Sequence, residues 1–110
     1  MRIATELTVK ALIRRCNAAG VSAFVMRRGD EQRGALFVKI ATLDGRAKLL
    51  GPPPATIASS SASPSLVPHL APEGAPETEV DAYLARQRDY DEDLWVVEIE
   101  DRAGRTFADD

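Results

Sequence analysis

Apolar residues recur at helical spacing near the start of the chain, which predicts a first helix over residues 5–19. The positions that share its apolar face are Val9, Leu12, Ile13, Cys16 and Ala19. Thr5 is a suitable N-cap residue, and Gly20 is typical of the position just past a helix C-terminus. Because Cys16 lies on the apolar face, we expect it to be a core residue rather than a nucleophile.

Three short apolar runs, separated by turn residues, follow this helix and predict β-strands. They cover residues 21–27, 35–42 and 46–51. In the first run, Phe24, Val25 and Met26 are too apolar for fully exposed positions. The dipeptide Asp44-Gly45 is a strong hairpin signal between the second and third runs. Because the runs are short and their connections tight, we expect the three strands to form an antiparallel meander.

A segment rich in proline, serine and alanine interrupts this pattern at residues 52–75, which hold six of the seven prolines. Its apolar content is too low to offset the entropy lost on ordering, so we expect a long mobile excursion. Because the single histidine, His69, lies in this segment, a pair of Cys16 with His69 would require the segment to fold back.

Helical spacing returns over residues 76–90, and a last strand is predicted over residues 94–100. Thr78 and Asp81, three residues apart, resemble a capping box at the start of this second helix. The order of elements is therefore α-β-β-β-α-β. We expect one domain over residues 1–110, of the α+β or layered α/β class, with a four-stranded, mostly antiparallel sheet and two helices packed on it.

The composition narrows the classes of function. One cysteine among 110 residues excludes an intrachain disulfide and a thiolate-rich zinc site, and we expect no cofactor. No apolar run is long enough to span a bilayer, and no signal peptide precedes the first helix, so a cytoplasmic location is expected.

Residues 1–52 carry a net charge of +6 and residues 53–110 a net charge of −9. We interpret this division as mutual neutralisation within one domain, with nucleic-acid contact as the alternative.

Four cations surround the connection between the first two strands and are candidates for anion binding: Arg27, Arg28, Arg33 and Lys39. Backbone amides at Gly29 and Gly34, together with guanidinium groups, favour an anion such as phosphate. The glycine spacing matches neither phosphate-binding motif, and a strand rather than a helix follows. A charged hairpin rim is the preferred interpretation, and nucleotide or nucleic-acid binding through this rim is the alternative.

Metal-dependent hydrolysis is a second alternative. The order of elements is similar to the core of restriction-endonuclease-like enzymes, which carry Glu/Asp-x-Lys on the third strand. Here Arg46 stands two residues before Lys48, and Phe37 stands two residues before Lys39, so the signature is missing. Glu98 and Glu100 share one face of the last strand and are weak candidates for holding Mg²⁺.

Trp95 lies on the opposite face of that strand, where we expect a core position; it is also the candidate for contact with a partner.

Several stretches together resemble the small uncharacterised bacterial proteins of domain-of-unknown-function family 1491. They are RRCNAAG (14–20), RRGD (27–30), GALFVKI (34–40), LDGRAKLLGPPP (43–54) and DEDLWVVEIEDRAGR (91–105). The resemblance implies a soluble stand-alone domain and carries over no catalytic residues. We therefore expect a non-catalytic interaction or accessory protein rather than an enzyme, with an unknown protein partner or a second copy of itself.

Overall fold

The computed structural model describes residues 4–53 and 66–107. The elements, in chain order, are α1 (Thr5–Ala18), β1 (Ser22–Arg27), β2 (Leu36–Ala41), β3 (Arg46–Gly51), β4 (Val67–His69), β5 (Ala75–Pro76), α2 (Glu77–Tyr90) and β6 (Trp95–Glu100). Every helix and strand predicted from the pattern is present, and no end is shifted by more than one residue. In the described ranges, neither helix is both long and apolar enough to cross a membrane.

The sheet confirms the α+β class but corrects the strand arrangement. It has six strands rather than four, in the order β1-β6-β2-β3-β4, with β5 beside β3. The predicted three-strand meander is wrong at its first step, because β6 lies between β1 and β2. The strand β6 runs parallel to β2 and antiparallel to β1, so the sheet is mixed. The physical reason is that β6 is buried on both faces up to Ile99: one face is wholly apolar, and the other carries Val96 and Glu98, whose charge is met by Lys39 of β2. A strand buried on both faces is favoured at the centre of a sheet.

The connection between β1 and β2 is therefore a crossing over the start of β6 rather than a hairpin. The backbone N–H of Asp30 donates to the carbonyl of Asp93 at 2.9 Å, and the indole N–H of Trp95 donates to the carbonyl of Asp30 at 2.7 Å. A Cβ at Gly29 or Gly34 would overlap the Asp93 carbonyl oxygen. The two glycines thus allow the connection to lie directly against the backbone at Asp93, and this contact accounts for them without a phosphate.

Each helix covers one face of the sheet, which gives three layers. The helix α1 buries Val9, Leu12 and Cys16 against one face, and α2 buries Val80 and Leu84 against the other. Side chains of β6 alternate between the two cores, with Trp95, Val97 and Ile99 on the α1 side. The core positions predicted for Cys16 and Trp95 are confirmed.

Part of the segment predicted as a mobile excursion returns to the sheet. The strand β4 pairs with β3, and β5 pairs with Arg46 and Ala47. Leu66 packs against the core under α1, and Leu70 against the core under α2. A few isolated apolar residues are enough to order this part of the chain, because β3 offers an edge with which it can pair. The composition of the segment alone does not reveal that edge. The prediction for residues 54–65 lies outside the described residues.

The side-chain caps predicted for both helices are corrected. Ala4 is the N-cap of α1 and Pro76 that of α2, and neither makes a side-chain cap bond. The hydroxyl of Thr5 donates instead to the carbonyl of Gly34 at 2.7 Å. The carboxylate of Asp81 accepts a hydrogen bond from Lys39. Thr5 and Asp81, which were predicted to cap helices, therefore bond to distant parts of the chain instead.

Candidate functional site

The strand β1 is an edge of the sheet that carries exposed apolar side chains. It pairs with β6 on one side, and no described strand pairs with its other side. Phe24, Val25 and Met26 are 40%, 39% and 54% exposed. Edge strands are usually shielded by lysine, proline or a covering element, and β1 contains neither residue type. None of the three positions is fully exposed, as their apolar character predicted, but they are far less covered than those of a central strand, because β6 rather than β1 takes the central place.

A β-bulge changes the direction of two side chains at the end of β1. Val25 and Arg27 pair with the consecutive residues Val97 and Val96, which leaves Met26 as the extra residue. Met26 and Arg27 consequently both line the same groove on the α2 side of the sheet. Bulges of this kind are common at sheet edges, where they change the face of the sheet to which a side chain points.

This groove between α2 and β1, called the α2–β1 groove below, has a volume of about 230 Å³. Its lining is Met26, Arg27, Asp81, Leu84, Ala85, Arg88, Leu94 and Val96. Sites for drug-sized ligands and cofactors usually measure roughly 300–1,000 Å³. The groove is therefore of a size that suits one or two apolar side chains of a partner better than a cofactor.

The polar residues of the α2–β1 groove leave it with positive character. Arg27 donates through Nη2 to the carbonyl of Glu92 at 2.6 Å, while its buried Nε finds no acceptor in the described ranges. Arg88 is exposed, and no described carboxylate forms an ion pair with it. The carboxylate of Asp81 is held by Lys39 at 2.8 Å. No local pattern singles out Arg88, because part of the groove that it lines comes from β1, which is far earlier in the chain.

Lys39 occupies a cluster of carboxylates beside the groove. Its side chain is only 4% exposed, and Nζ lies 2.7 Å from Glu77, 2.8 Å from Asp81 and 3.5 Å from Glu98. The parallel pairing of β2 with β6 sets Lys39 directly opposite Glu98. The other two carboxylates, Glu77 and Asp81, are one turn apart on α2. Lys39 thus neutralises acids from the second half of the chain.

The pKa values of Lys39 and Glu98 are both raised, but for different reasons. Burial alone would lower the pKa of Lys39, but the hydrogen bonds from its ammonium to Asp81 and Glu77 outweigh burial and raise it. Burial raises the pKa of Glu98, and the nearby ammonium of Lys39 offsets this only in part. Glu98 is the most distant of the three carboxylates from Nζ and the most buried, which explains why its charged form is the one disfavoured.

The other candidate cations do not converge with Lys39. Arg28 donates to Glu6 at 2.7 Å and to Glu31 at 3.3 Å, and its guanidinium lies 5.2 Å from the ring centroid of Trp95, on the α1 side. Arg33 is exposed in the connection, with no described ion pair. Arg27, Arg28, Arg33 and Lys39 therefore do not surround a common point in this structure.

Three further candidates, Trp95, Glu98 and Glu100, lie on β6. The indole of Trp95 is 1% exposed, so the ring itself presents no surface to a partner. Glu98 and Glu100 share one face of β6 as predicted, and the described residues bring no three His, Cys, Asp or Glu side chains together as a set of metal ligands.

Cys16 and His69 lie on opposite sides of the sheet. Burial raises the pKa of the Cys16 thiol, which favours its neutral form. His69 packs against Phe37, and its ring nitrogens bond the hydroxyl of Tyr83 at 2.7 Å and the carbonyl of Pro52 at 3.0 Å. His69 thereby ties β4 to α2.

Replacing Glu98 by glutamine is expected to raise the melting temperature at pH 7 by roughly 2–4 °C, about 0.5 kcal/mol for a domain of this size. The raised pKa means that the folded chain binds a proton at Glu98 more readily than the unfolded chain. The wild-type stability therefore falls as pH rises through this raised pKa, and the advantage of Glu98→Gln develops over the same interval.

Thermal melts between pH 4 and pH 8 measure this difference. Glu100→Gln removes the same charge two residues along the strand and is the matched control. A Glu98→Gln variant less stable than the wild type at every pH would contradict the prediction, since it would mean that the bond to Lys39 outweighs burial.

Comparisons with known proteins place the chain among small domains of the same architecture. A family model described as "Protein of unknown function (DUF1491)" matches residues 3–109. No curated protein matches the chain. The chain is similar to the crystal structure of a DUF1491 family protein from Caulobacter crescentus, at 36% identity and a TM-score of 0.80, covering 97% of this chain and 93% of the other.

A second similar structure is the solution structure of protein Atu0922 from A. tumefaciens. The identity is 44% and the TM-score 0.77, over 91% of this chain and 86% of the other. An NMR structure of a DUF1491 family protein from Caulobacter crescentus matches at 35% identity and a TM-score of 0.79, over 98% and 94% of the two chains.

Proposed function

The chain belongs to the DUF1491 family of proteins of unknown function, and from this premise we propose that it is a non-catalytic interaction protein whose binding surface is the edge strand β1. The observation that carries the proposal is the run of three exposed apolar residues, Phe24, Val25 and Met26, on a strand with one free side in the described structure. Exposed apolar side chains along an unpaired strand edge are typical of interaction sites.

The geometry of β1 favours recognition of a protein segment by strand addition. In this mode an extended segment pairs with the free backbone of an edge strand, while pockets beside the edge receive alternate side chains. The α2–β1 groove lies beside β1 and is lined in part by Met26 from β1 itself. A backbone edge and a side-chain pocket are thus presented together.

The ionisable groups nearest to this surface support binding rather than catalysis. Lys39 is bonded to Glu77 and Asp81, so neither the ammonium nor those carboxylates are poised for proton transfer. The guanidinium of Arg27 donates to a backbone carbonyl at the rim. These groups hold α2 against the sheet and shape the groove.

Photo-crosslinking in the native host tests this function. With p-benzoylphenylalanine in place of Phe24, we expect discrete covalent adducts with protein, and we expect Val25→Lys to remove them, because an added charge blocks pairing at an edge strand. Both positions are exposed, so the fold should be retained, which a thermal melt checks.

Leu7 provides the matched control, since it is an exposed apolar residue on α1 rather than on the edge strand. Leu7→Lys should leave the Phe24 adducts unchanged. Adducts that persist in the Val25→Lys variant, or no adducts at all from position 24, would overturn the proposed function.

A further inference from the structure

The first observation concerns charge around the β1 edge. Residues 7–29, which include most of α1 and all of β1, contain five cations and no Asp or Glu. The helix α1 packs beside β1, and its exposed surface carries Lys10 and Arg14 next to Asn17. On the other face of the sheet, Arg27 and Arg88 line the α2–β1 groove. Cations therefore lie on both sides of the edge, whereas Glu98 and Glu100 of β6 lie opposite Phe24 and Ser22 on the α2 side, so the positive charge of the groove is confined to the Arg27 end of β1.

The second observation concerns hydrogen-bonding capacity within the groove. Arg88 has no described ion-pair partner, and the buried Nε of Arg27 has no acceptor in the described ranges. Buried donors in folded proteins nearly always have a partner. The one carboxylate of the groove, Asp81, is bonded to Lys39 and so does not neutralise the arginines. The buried Nε of Arg27 is shielded by the chain itself, so the group that an acceptor from outside the described fold can reach is the exposed guanidinium of Arg88.

The third observation concerns the size and lining of the groove. Its apolar part, from Met26, Leu84 and Leu94 among others, encloses a volume that suits an aliphatic side chain. Side chains of an added strand alternate between the two faces, so one apolar residue can be followed by a charged neighbour within reach of the rim.

Resting on the proposed function, we infer that the partner of β1 is an extended acidic segment of another protein. Its backbone pairs with β1, an aliphatic side chain enters the α2–β1 groove, and its Asp or Glu side chains lie near Arg27 and Arg88. Charge complementarity of this type sets partner choice and speeds association.

A second copy of the chain paired through β1 is the competing occupant, and the charge pattern disfavours it. Because no acid occurs between residues 7 and 29, β1 of a second copy would bring no carboxylate from its own strand or from most of α1 to these arginines. It would instead add Arg27 and Arg28 to a surface that is already positive.

Titration of ¹⁵N-labelled protein with capped six-residue peptides tests the inference. One peptide alternates glutamate with valine, and its counterpart alternates lysine with valine. We expect the glutamate peptide to shift the amide resonances of residues 22–27 and of Arg88, and the lysine peptide to bind at least tenfold more weakly. The affinity of the glutamate peptide should fall as salt is raised, because exposed charges are screened.

Two charge-matched variants sharpen the test. Arg88→Gln should weaken binding of the glutamate peptide roughly two- to fivefold, the range typical of an exposed ion pair. Arg102→Gln removes the same charge from the turn after β6 and should leave the affinity unchanged. Val25→Lys should abolish the shifts of residues 22–27.

Three results would overturn the inference. They are equal binding of the lysine peptide, no binding of the glutamate peptide, and a dimer in sedimentation analysis that Val25→Lys dissociates. The first two would leave the proposed function standing if the Phe24 adducts are still observed, and the third would identify the occupant as a second copy. Loss of the proposed function itself is recognised separately, by adducts that Val25→Lys does not affect.

Discussion

Lys39→Met is expected to destabilise the folded chain by about 3 kcal/mol, near the lower end of the range for removing one partner of a buried ion pair. The substitution keeps the length of the side chain but leaves three carboxylates facing one another. Glu98, whose side chain is 11% exposed, would lose its only described cation. Glu77 and Asp81 are more exposed and regain water, which keeps the cost from being larger.

Chemical denaturation at pH 7 measures this effect, and the double variant Lys39→Met/Glu98→Gln is its control. Removing the Glu98 charge should restore about half of the lost stability or more, because the buried uncompensated carboxylate is the main source of the cost. The deficit of Lys39→Met should also shrink as pH falls, since protonation of Glu98 removes the same charge. A double variant no more stable than Lys39→Met alone would contradict this account.

Gly34→Ala is expected to cost about 3 kcal/mol, through a steric mechanism. The new Cβ would overlap the carbonyl oxygen of Asp93 and lie 2.8 Å from Cδ1 of Trp95. The backbone cannot move away without stretching two bonds of 2.7 Å, from the Trp95 amide to Ala35 and from the Trp95 indole to Asp30. Overpacking costs about 1–3 kcal/mol, and each weakened hydrogen bond adds about 1 kcal/mol.

Gly45→Ala separates this steric effect from a general cost of replacing glycine. Gly45 has a φ of +88°, and a Cβ there meets open space. Its substitution should cost only about 1–2 kcal/mol, the penalty for a side chain in the left-handed region. Denaturation midpoints of both variants compare the two sites. If Gly34→Ala costs no more than Gly45→Ala, the crossing over β6 does not require a glycine at position 34.

The crossing also shows why the glycines and arginines of residues 27–34 were difficult to interpret from their order. Gly29 and Gly34 flank Asp30 as they would in an anion-binding loop, yet their spacing serves the backbone of Asp93. Arg28 reaches Glu6 and stacks over Trp95, while Lys39 reaches α2 on the opposite face. The partners of these cations lie as far as 67 residues away along the chain, the separation of Arg28 and Trp95, beyond any local pattern.

The local structure of this protein follows from short-range patterns in its sequence. The periodic apolar positions Val9, Leu12 and Cys16 identified α1 and the face that it buries, and Asp44-Gly45 located the turn between β2 and β3. The alternation in residues 94–100 predicted both the core position of Trp95 and the shared face of Glu98 and Glu100. These features depend on residues within a few positions of one another, so the hydrophobic period is sufficient to specify them.

The order of the strands in the sheet and the surface that stays exposed, in contrast, are properties of the whole fold. The runs that became β1 and β6 are both apolar, and either could occupy the centre of a sheet as judged by its own sequence. Pairing of β6 with both β1 and β2 joins segments far apart in the chain, and it places Phe24, Val25 and Met26 at an edge. Strand order is set by the total burial of all elements together, and that sum contains long-range contacts which no single stretch of sequence encodes.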